Sequence, residues 1–222
     1  KNKNWKYFWS GRVGISAVKN TAIDRAQGNL VWFISTSCRL TDTQLLRRAL
    51  SRFDSASDLA ALGGTLKYSR RNEDSLSLAW FKIRRQRLHK AYYFDREGET
   101  RLIWPEHSFF RKSRIGPFLR FSEHLDEDSA QIDFCLNLSR GGARLFLDPE
   151  FEVNYSDKIK LKDFLLSARR FADYFSEILN SNRDHLSYLK PDQESIPDKK
   201  VRFYQGLFAY IFSRRSLRSQ KI

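Results

Sequence analysis

Residues 29–34 read NLVWFI, an apolar run without polar–apolar alternation. A strand with one wet face alternates. An unbroken run of this length fits a strand covered on both faces, and helices are what cover both faces of a sheet. The flanks agree. Upstream, residues 20–27 (NTAIDRAQ) predict a short helix stopped by Gly28, since glycine tolerates the left-handed backbone that ends helices. Downstream, Ser35-Thr36-Ser37-Cys38 leads to Thr41 or Asp42, either of which can cap a helix through Phe53.

The alternation continues along the chain. Strands are expected at 59–62, at 107–111 (HSFFR), and at 144–147 and 151–155 on either side of Pro149. Helices are expected at 75–93, at 129–139 and, amphipathically, at 161–179. Gly63-Gly64 and Gly141-Gly142 read as turns, and Pro191 and Pro197 mark 180–200 as a linker. Strands interleaved with helices argue for an α/β layered domain over a sandwich or bundle. With 222 residues, 41% of them apolar, the chain can build one core. Its longest apolar runs fall far short of the ~20 residues a membrane-crossing helix needs. Cys38 and Cys135 make no disulfide framework and point to a reducing compartment. Methionine is absent, so the chain reads as processed or as a fragment, with no signal peptide visible at Lys1.

Charge is plentiful and uneven. Lys and Arg number 40 against 26 Asp and Glu, a formal charge of +14. Residues 80–90 hold five cations and no acid; residues 199–222 hold seven and no acid, interleaved with Phe203, Tyr204, Phe208, Tyr210 and Phe212. Excess positive charge favours polyanionic partners. No zinc-knuckle spacing, RRM signature or helix-turn-helix supports nucleic acid. The 201–222 segment fits an interfacial helix at a membrane surface, with aromatics at the headgroups and arginines meeting their charge. Against these readings stands a plain solvated helix face with a basic tail.

The order of the pieces carries more information than any one of them. Gly14–Gly28 reads GISAVKNTAIDRAQG, then the apolar strand, then Ser35-Thr36-Ser37. A second block follows: Phe121-Ser122-Glu123, Ala130-Gln131, Ile132-Asp133-Phe134-Cys135-Leu136-Asn137-Leu138, Gly141-Gly142, and Pro149 before Val153 and Tyr155. Together these resemble, over about Gly14 to Tyr155, the central part of family 2 glycosyltransferases. That resemblance implies a GT-A-like mixed, mostly parallel sheet flanked by helices, lacking the first strands, with a helical C-terminal extension. It implies a partial domain over 1–157, a packing helix over 158–180, a linker over 181–200 and a basic aromatic tail helix over 201–222. Family members move sugars from nucleotide donors to surface glycan, lipid or protein acceptors on the cytoplasmic side, so a cytoplasmic location is implied, with membrane association expected through the 201–222 segment.

The resemblance weakens at the chemistry. The family's Asp-x-Asp holds Mg²⁺ or Mn²⁺ against the leaving diphosphate. Here Ser35 and Ser37 stand there, and hydroxyls bring no negative charge. The family's base is an acid of a Glu-Asp pair; Ala130 and Gln131 stand there, and losing a positioned base costs ~10²–10⁴-fold in rate. Tyr155 replaces a late His that is often a metal ligand, and Asn137 replaces an Arg. A fold kept without its reaction would show this pattern. If activity survives, Glu123 and Asp133 are the candidate catalytic residues, with Lys19, Asn20, Ser35 and Ser37 for substrate; Lys19 would meet donor phosphates as a point charge. Asp126, Glu127 and Asp128 offer a substitute base if the register is shifted by three; the plain alternative is that they favour a helix N-terminus. Lys1–Val13 is too short for a strand–helix–strand unit of about 30 residues, so half of a nucleotide cleft would be missing. The ligand expected is a nucleotide sugar or another phosphorylated molecule. The competing reading is a non-catalytic binding or scaffold module for a phosphorylated or membrane-surface partner. The four histidines are scattered without zinc spacing, and Cys38 reads as a buried thiol before a nucleophile.

Overall fold

The computed structural model describes residues 7–8, 11, 14–68, 74–90 and 98–170, the side chains of 84–90 excepted. The elements are α1 (Ile15–Arg25), β1 (Leu30–Ile34), β2 (Cys38–Arg39), α2 (Leu45–Ser55), β3 (Leu59–Tyr68), α3 (Ser75–Lys90), β4 (Glu99–Thr100), β5 (His107–Arg111), α4 (Lys112–Ile115), α5 (Glu127–Arg140) and β6 (Arg144–Tyr155). Residues 161–170 are helical. The strands form one sheet in the order β1-β5-β3-β6-β2, with β4 also on β6.

The α/β architecture is the one the sequence implies, but the strand pairing differs from the mostly parallel sheet expected. Only β3 and β6 pair in parallel; β1·β5, β3·β5, β2·β6 and β4·β6 are antiparallel. The three principal strands β1, β3 and β6 do share a direction. β5 is inserted between β1 and β3 against that direction, and β2 and β4 are two-residue returns on β6. Four of the five β5 residues are buried. A strand covered on both faces reads as a continuous buried run in either direction, so its sequence did not reveal the reversal.

Element boundaries move for identifiable reasons. α1 starts at Ile15, earlier than expected, and its cap is Ala26, in extended conformation (φ −63°, ψ 128°), so Gly28 does not stop it. Its buried face is Ser16, Lys19, Asn20 and Ile23, three of them polar. An apolar-periodicity reading misses such a face. The helix up to 93 is seen to Lys90, and residues 91–93 lie outside the described residues. β3 does not end at a turn: Gly63-Gly64 lies inside it. The two strands expected around Pro149 are one strand with a local irregularity. Gly64 pairs with Asp148 and Thr65 with Glu152, so residues 149–151 bulge out of register, and Asp148 Oδ1 accepts from Glu150 N at 2.9 Å. Gly141-Gly142 is the expected turn, with Gly142 at φ +75°. The expected helix over 171–179, the linker and the 201–222 tail lie outside the described residues.

Helices cover the sheet through aromatic-rich faces. α2 buries Leu45, Ala49 and Phe53 at i, i+4, i+8. α5 is buried nearly all round, through Ala130, Gln131, Ile132, Phe134, Cys135, Leu136 and Leu138. Phe134 stacks on Phe121 at 4.0 Å and meets Phe110 edge-on at 5.3 Å. Each such ring pair adds roughly 0.5–1.5 kcal/mol beyond area burial. Phe164 and Ala168 in the helical segment 161–170 are fully buried, with Phe164 edge-on to Trp80 of α3 at 5.7 Å. That contact brings α3, the 161–170 segment and the carboxyl end of β6 to the same end of the molecule as the start of α5.

Candidate functional site

At the carboxyl end of β1 the chain makes a tight, well-bonded turn. Ser35 N donates to Glu106 O at 2.8 Å, Cys38 N to Ser35 O at 3.0 Å, and Ser37 N to the Ser35 hydroxyl at 3.1 Å. Ser37 O in turn accepts from Ser156 N at 3.0 Å, which ties the turn to the segment after β6. The Ser35 hydroxyl is therefore a turn-former, accepting a main-chain N–H as serines do in turns. Tyr155 lies across from Cys38 in the β2·β6 pairing. It is 4% exposed, packs on Phe81 and Tyr68, and donates its hydroxyl to Asp157 Oδ2 at 3.1 Å. Cys38 is half-buried, with Sγ 3.5 Å from Glu106 O.

The residues that follow Ser156, from Asp157 on, border a cavity of about 530 Å³. The first turn of α5 forms one wall with Asp126, Glu127 and Asp128; Asp157 and Lys158 after β6 form another; Trp80, Asp163 and Arg170 close it. Five acids against two cations give the lining a negative balance within a chain of net charge +14. Asp157 is held in place by two tyrosines, since Tyr68 also donates to its main-chain oxygen at 3.2 Å.

The three acids weighed as a substitute base have different fates. Asp126 is the N-cap of α5: Oδ1 accepts from Asp128 N (3.1 Å) and Ser129 N (3.2 Å), and Oδ2 from the Ser129 hydroxyl (2.7 Å). Burial, reinforced by the neighbouring Asp128 carboxylate, raises its pKa despite those donors. Glu127 pairs with Lys19 Nζ at 3.2 Å. Asp128 lines the cavity from the helix start.

The residues named from the sequence separate into two groups. Ser35, Ser37 and Tyr155 converge at the turn. Lys19 and Asn20 instead join α1 to the chain before α5. Asn20 Nδ2 donates to Phe121 O (2.9 Å) and Glu123 Oε1 (3.0 Å), and its Oδ1 accepts from Phe121 N (2.9 Å). Lys19 is 6% exposed and lies over the Phe121 ring at 5.2 Å in addition to its Glu127 pair. Glu123 is exposed and Asp133 half-buried; neither lines the cavity. Ala130 and Gln131 are buried in the second turn of α5. Gln131 is 0% exposed; its Nε2 donates to Ile103 O at 3.2 Å. Sequence reasoning missed Trp80, Asp157, Asp163 and Arg170, which come from three separated segments that no local motif links.

The donor set does not suit Mg²⁺ or Mn²⁺. Ser35 offers a neutral oxygen already accepting an N–H, Tyr155 a buried phenol donating to an acid. Among the described residues, no group of three or more His, Cys, Asp or Glu is arranged to hold one metal ion. Placing an acid at position 131 is a direct check of how that position is built. Gln131→Glu is expected to destabilise the fold by at least about 2 kcal/mol, because it places a carboxylate in a dry site against a carbonyl oxygen. Denaturant titration near neutral pH measures this. A variant as stable as the parent would mean that position 131 opens to solvent.

No family model matches the chain, and no curated protein matches it. Among solved structures, the mannosyltransferase PcManGT from Pyrobaculum calidifontis, in complex with GDP-Man and Mn²⁺, aligns with a TM-score of 0.56 at 12% identity, over 94% of this chain and 54% of that one. Residues 1–349 of TarS from S. aureus align at TM-score 0.44 with 15% identity, over 91% of this chain and 51% of that one. A mycobacterial protein aligns at TM-score 0.47 with 8% identity, over 84% and 53%. The first likeness shows the fold, a glycosyltransferase-type α/β fold as the sequence blocks implied. The chain spans about half the length of these structures. Among the described residues no helix is long and apolar enough to cross a membrane.

Proposed function

We propose that this chain is a module of a family 2-like glycosyltransferase, cytoplasmic as that family's members are. In this reading it keeps a pocket for a hydroxyl-rich ligand while its metal and base chemistry is impaired. The observation that carries the proposal is the fate of the replaced positions. Gln131, at the base position, is sealed in the core against Ile103 O, and the Ser35 hydroxyl, at the metal position, is spent on its own turn. Gln131 is closed to a ligand, and Ser35 is a half-buried, uncharged hydroxyl that already accepts one main-chain N–H.

What the cavity can do follows from its lining. Carboxylates accept hydrogen bonds from hydroxyls, and the Trp80 indole offers an apolar ring for a sugar face. The negative balance of the walls opposes a phosphate inside it. A saccharide acceptor therefore suits this cavity better than the diphosphate of a donor, and a phosphorylated partner would bind elsewhere on the chain. Asp128 is the acid best placed to receive a proton from a bound hydroxyl, at the start of α5 and on the cavity wall.

The test is titration of UDP- and GDP-sugars and of neutral oligosaccharides, each with and without Mn²⁺, with turnover followed in parallel. Oligosaccharide binding that is indifferent to Mn²⁺, with transfer at least ~100-fold below what a base-equipped enzyme of this type sustains, is the expected result. Mn²⁺-dependent donor binding with robust turnover would refute the impaired-site reading. Binding of nucleotide sugars without turnover would favour the scaffold alternative.

A further inference from the structure

We propose that the end of the molecule opposite the cavity is a docking surface for an anionic lipid membrane. Its centre is the loop after β5. Residues 111–121 read RKSRIGPFLRF, four cations and no acid. α4 is a single turn ended by Gly116 at φ +65°, and Pro117 prevents helix continuation. Ile115 and Phe121, 3% and 2% exposed, pin the two ends of the loop into the core. Between them Phe118 is held 96% exposed. A phenyl ring in water at the tip of a loop anchored on both sides is an apolar group presented outward, because both flanking anchors are satisfied and the ring has no core position to fill.

The charge around it is positive and mostly uncompensated by acids. Arg111 donates to the main-chain oxygens of Leu59, Phe53 and Ala56, Lys112 to that of Ala26, and Arg114 to that of Ser57. Carbonyl partners fix these side chains without neutralising them. Arg120 is the exception, paired with Asp24 at 2.6 Å. The same contacts tie the loop to the end of α1, where Arg25 lies over the Phe8 ring at 4.3 Å. Tyr7 and Phe8 are 86% and 51% exposed. Exposed aromatics beside cations match the two requirements of an interfacial anchor: rings for the headgroup boundary and charge for anionic lipids. Laterally mobile headgroups suit this diffuse positive field, because the exposed Phe118 ring adds an apolar group that can enter the headgroup boundary beside the cations.

α1 separates the two ends of the molecule. Gly14 and Ile15 border the cavity, while Asp24, Arg25 and Ala26 meet the loop. An 11-residue helix spans about 16 Å. A docked chain would hold its cavity away from the lipid surface and open to soluble ligands. This inference stands apart from the sugar-binding reading and from any membrane role of 201–222.

The experiment uses the full chain as Cys38→Ser, with Phe118→Cys carrying a nitrobenzoxadiazole probe; Cys135 is fully buried and escapes labelling. Vesicles of phosphatidylcholine with phosphatidylglycerol are compared with phosphatidylcholine alone. The expected result is a blue shift and brightening of the probe on the anionic vesicles, reversed by salt. In the unlabelled chain, Arg114→Glu and Phe118→Ser are each expected to weaken vesicle binding about tenfold. A probe that stays in water while the chain binds, or two variants that bind like the parent, would overturn the proposal and move docking to another segment. Absence of vesicle binding would overturn it too, as would a salt-steep affinity for single-stranded RNA with vesicles ignored.

Discussion

Gly64→Ala is expected to lower the stability of the fold by about 3 kcal/mol or more, and the melting temperature of a domain this size by ~6–12 °C. A Cβ built on Gly64 would stand 1.9 Å from the Phe151 main-chain oxygen and 2.6 Å and 2.8 Å from two atoms of the His107 ring. The carbonyl belongs to the backbone and the ring is wedged among buried neighbours, so neither yields cheaply. The crowding has a structural cause. β3 and β6 lose register between Gly64 and Thr65, where residues 149–151 bulge, and the bulge pushes the Phe151 carbonyl toward β3. A residue without a side chain is the one that fits beneath it. Comparison with other glycines isolates the effect. At Gly63 the obstacle is the Ile103 side chain at 2.7 Å, and at Gly28 the nearest atom is 3.6 Å away. Gly28→Ala should leave stability nearly unchanged, Gly63→Ala should cost less than Gly64→Ala, and thermal melts of the three variants give the ranking. Equal melting temperatures for Gly64→Ala and the parent would show that the bulge relaxes freely.

The same two glycines mark where sequence reading ran out. Gly63-Gly64 after a short apolar run has the composition of a turn, and the reading ended the strand there. The need for glycine came instead from a neighbour 87 residues downstream, Phe151, which no local window contains. The main apolar strands were legible because their signals are local: a continuous run for β1, HSFFR for β5. The direction of β5 was not, since burial on both faces looks alike in parallel and antiparallel strands. The helix through Phe53 was legible as an element but not by its face: Leu45, Leu46 and Leu50 are its leucines, yet α2 buries Leu45, Ala49 and Phe53 and leaves Leu46 and Leu50 exposed. The side chains singled out for chemistry were legible as identities, but their surroundings were not. From the sequence Gln131 reads as a replaced base; in the structure it is a buried donor to Ile103 O. Lys19 and Asn20 read as ligand contacts and serve as the polar seam between α1 and the approach to α5. The cavity drew on residues from α3, from the segment after β6 and from the 161–170 segment, and tertiary assembly alone brings them together.

Acidification is expected to weaken the fold well above the carboxylate range, and His107 is the reason. The ring is fully buried, with its pKa lowered from 6.5 to about 4 chiefly by burial and only partly offset by the Phe151 carbonyl. Its neighbours are the Trp32 and Phe109 rings, Gly64 and that carbonyl, none of them charged. Nδ1 accepts the Trp32 indole N–H at 3.2 Å, so in the native tautomer the proton sits on Nε2. Adding a second proton would turn the acceptor into a donor facing a donor, inside a site with no acid to share the charge. The direction follows from linkage. The unfolded chain takes up a proton near pH 6.5 and the folded chain only near pH 4, so stability is whole above pH 6.5 and is lost as pH falls toward 4. The loss amounts to about 2 kcal/mol by pH 5 and about 3 kcal/mol by pH 4. Asp126, with its raised pKa, works in the opposite sense, because its folded form holds a proton more tightly; Asp74, with its lowered pKa, adds to the acid loss only below the normal carboxylate value. His107→Asn supplies an oxygen near the Nδ1 position for the Trp32 N–H and removes the titration. The variant should be less stable than the parent at neutral pH because the smaller side chain leaves space, yet its denaturation midpoint should stay flat between pH 7 and pH 5 while that of the parent falls. Parallel decline of both proteins over that interval would assign the acid sensitivity to other groups and leave His107 as a packing residue.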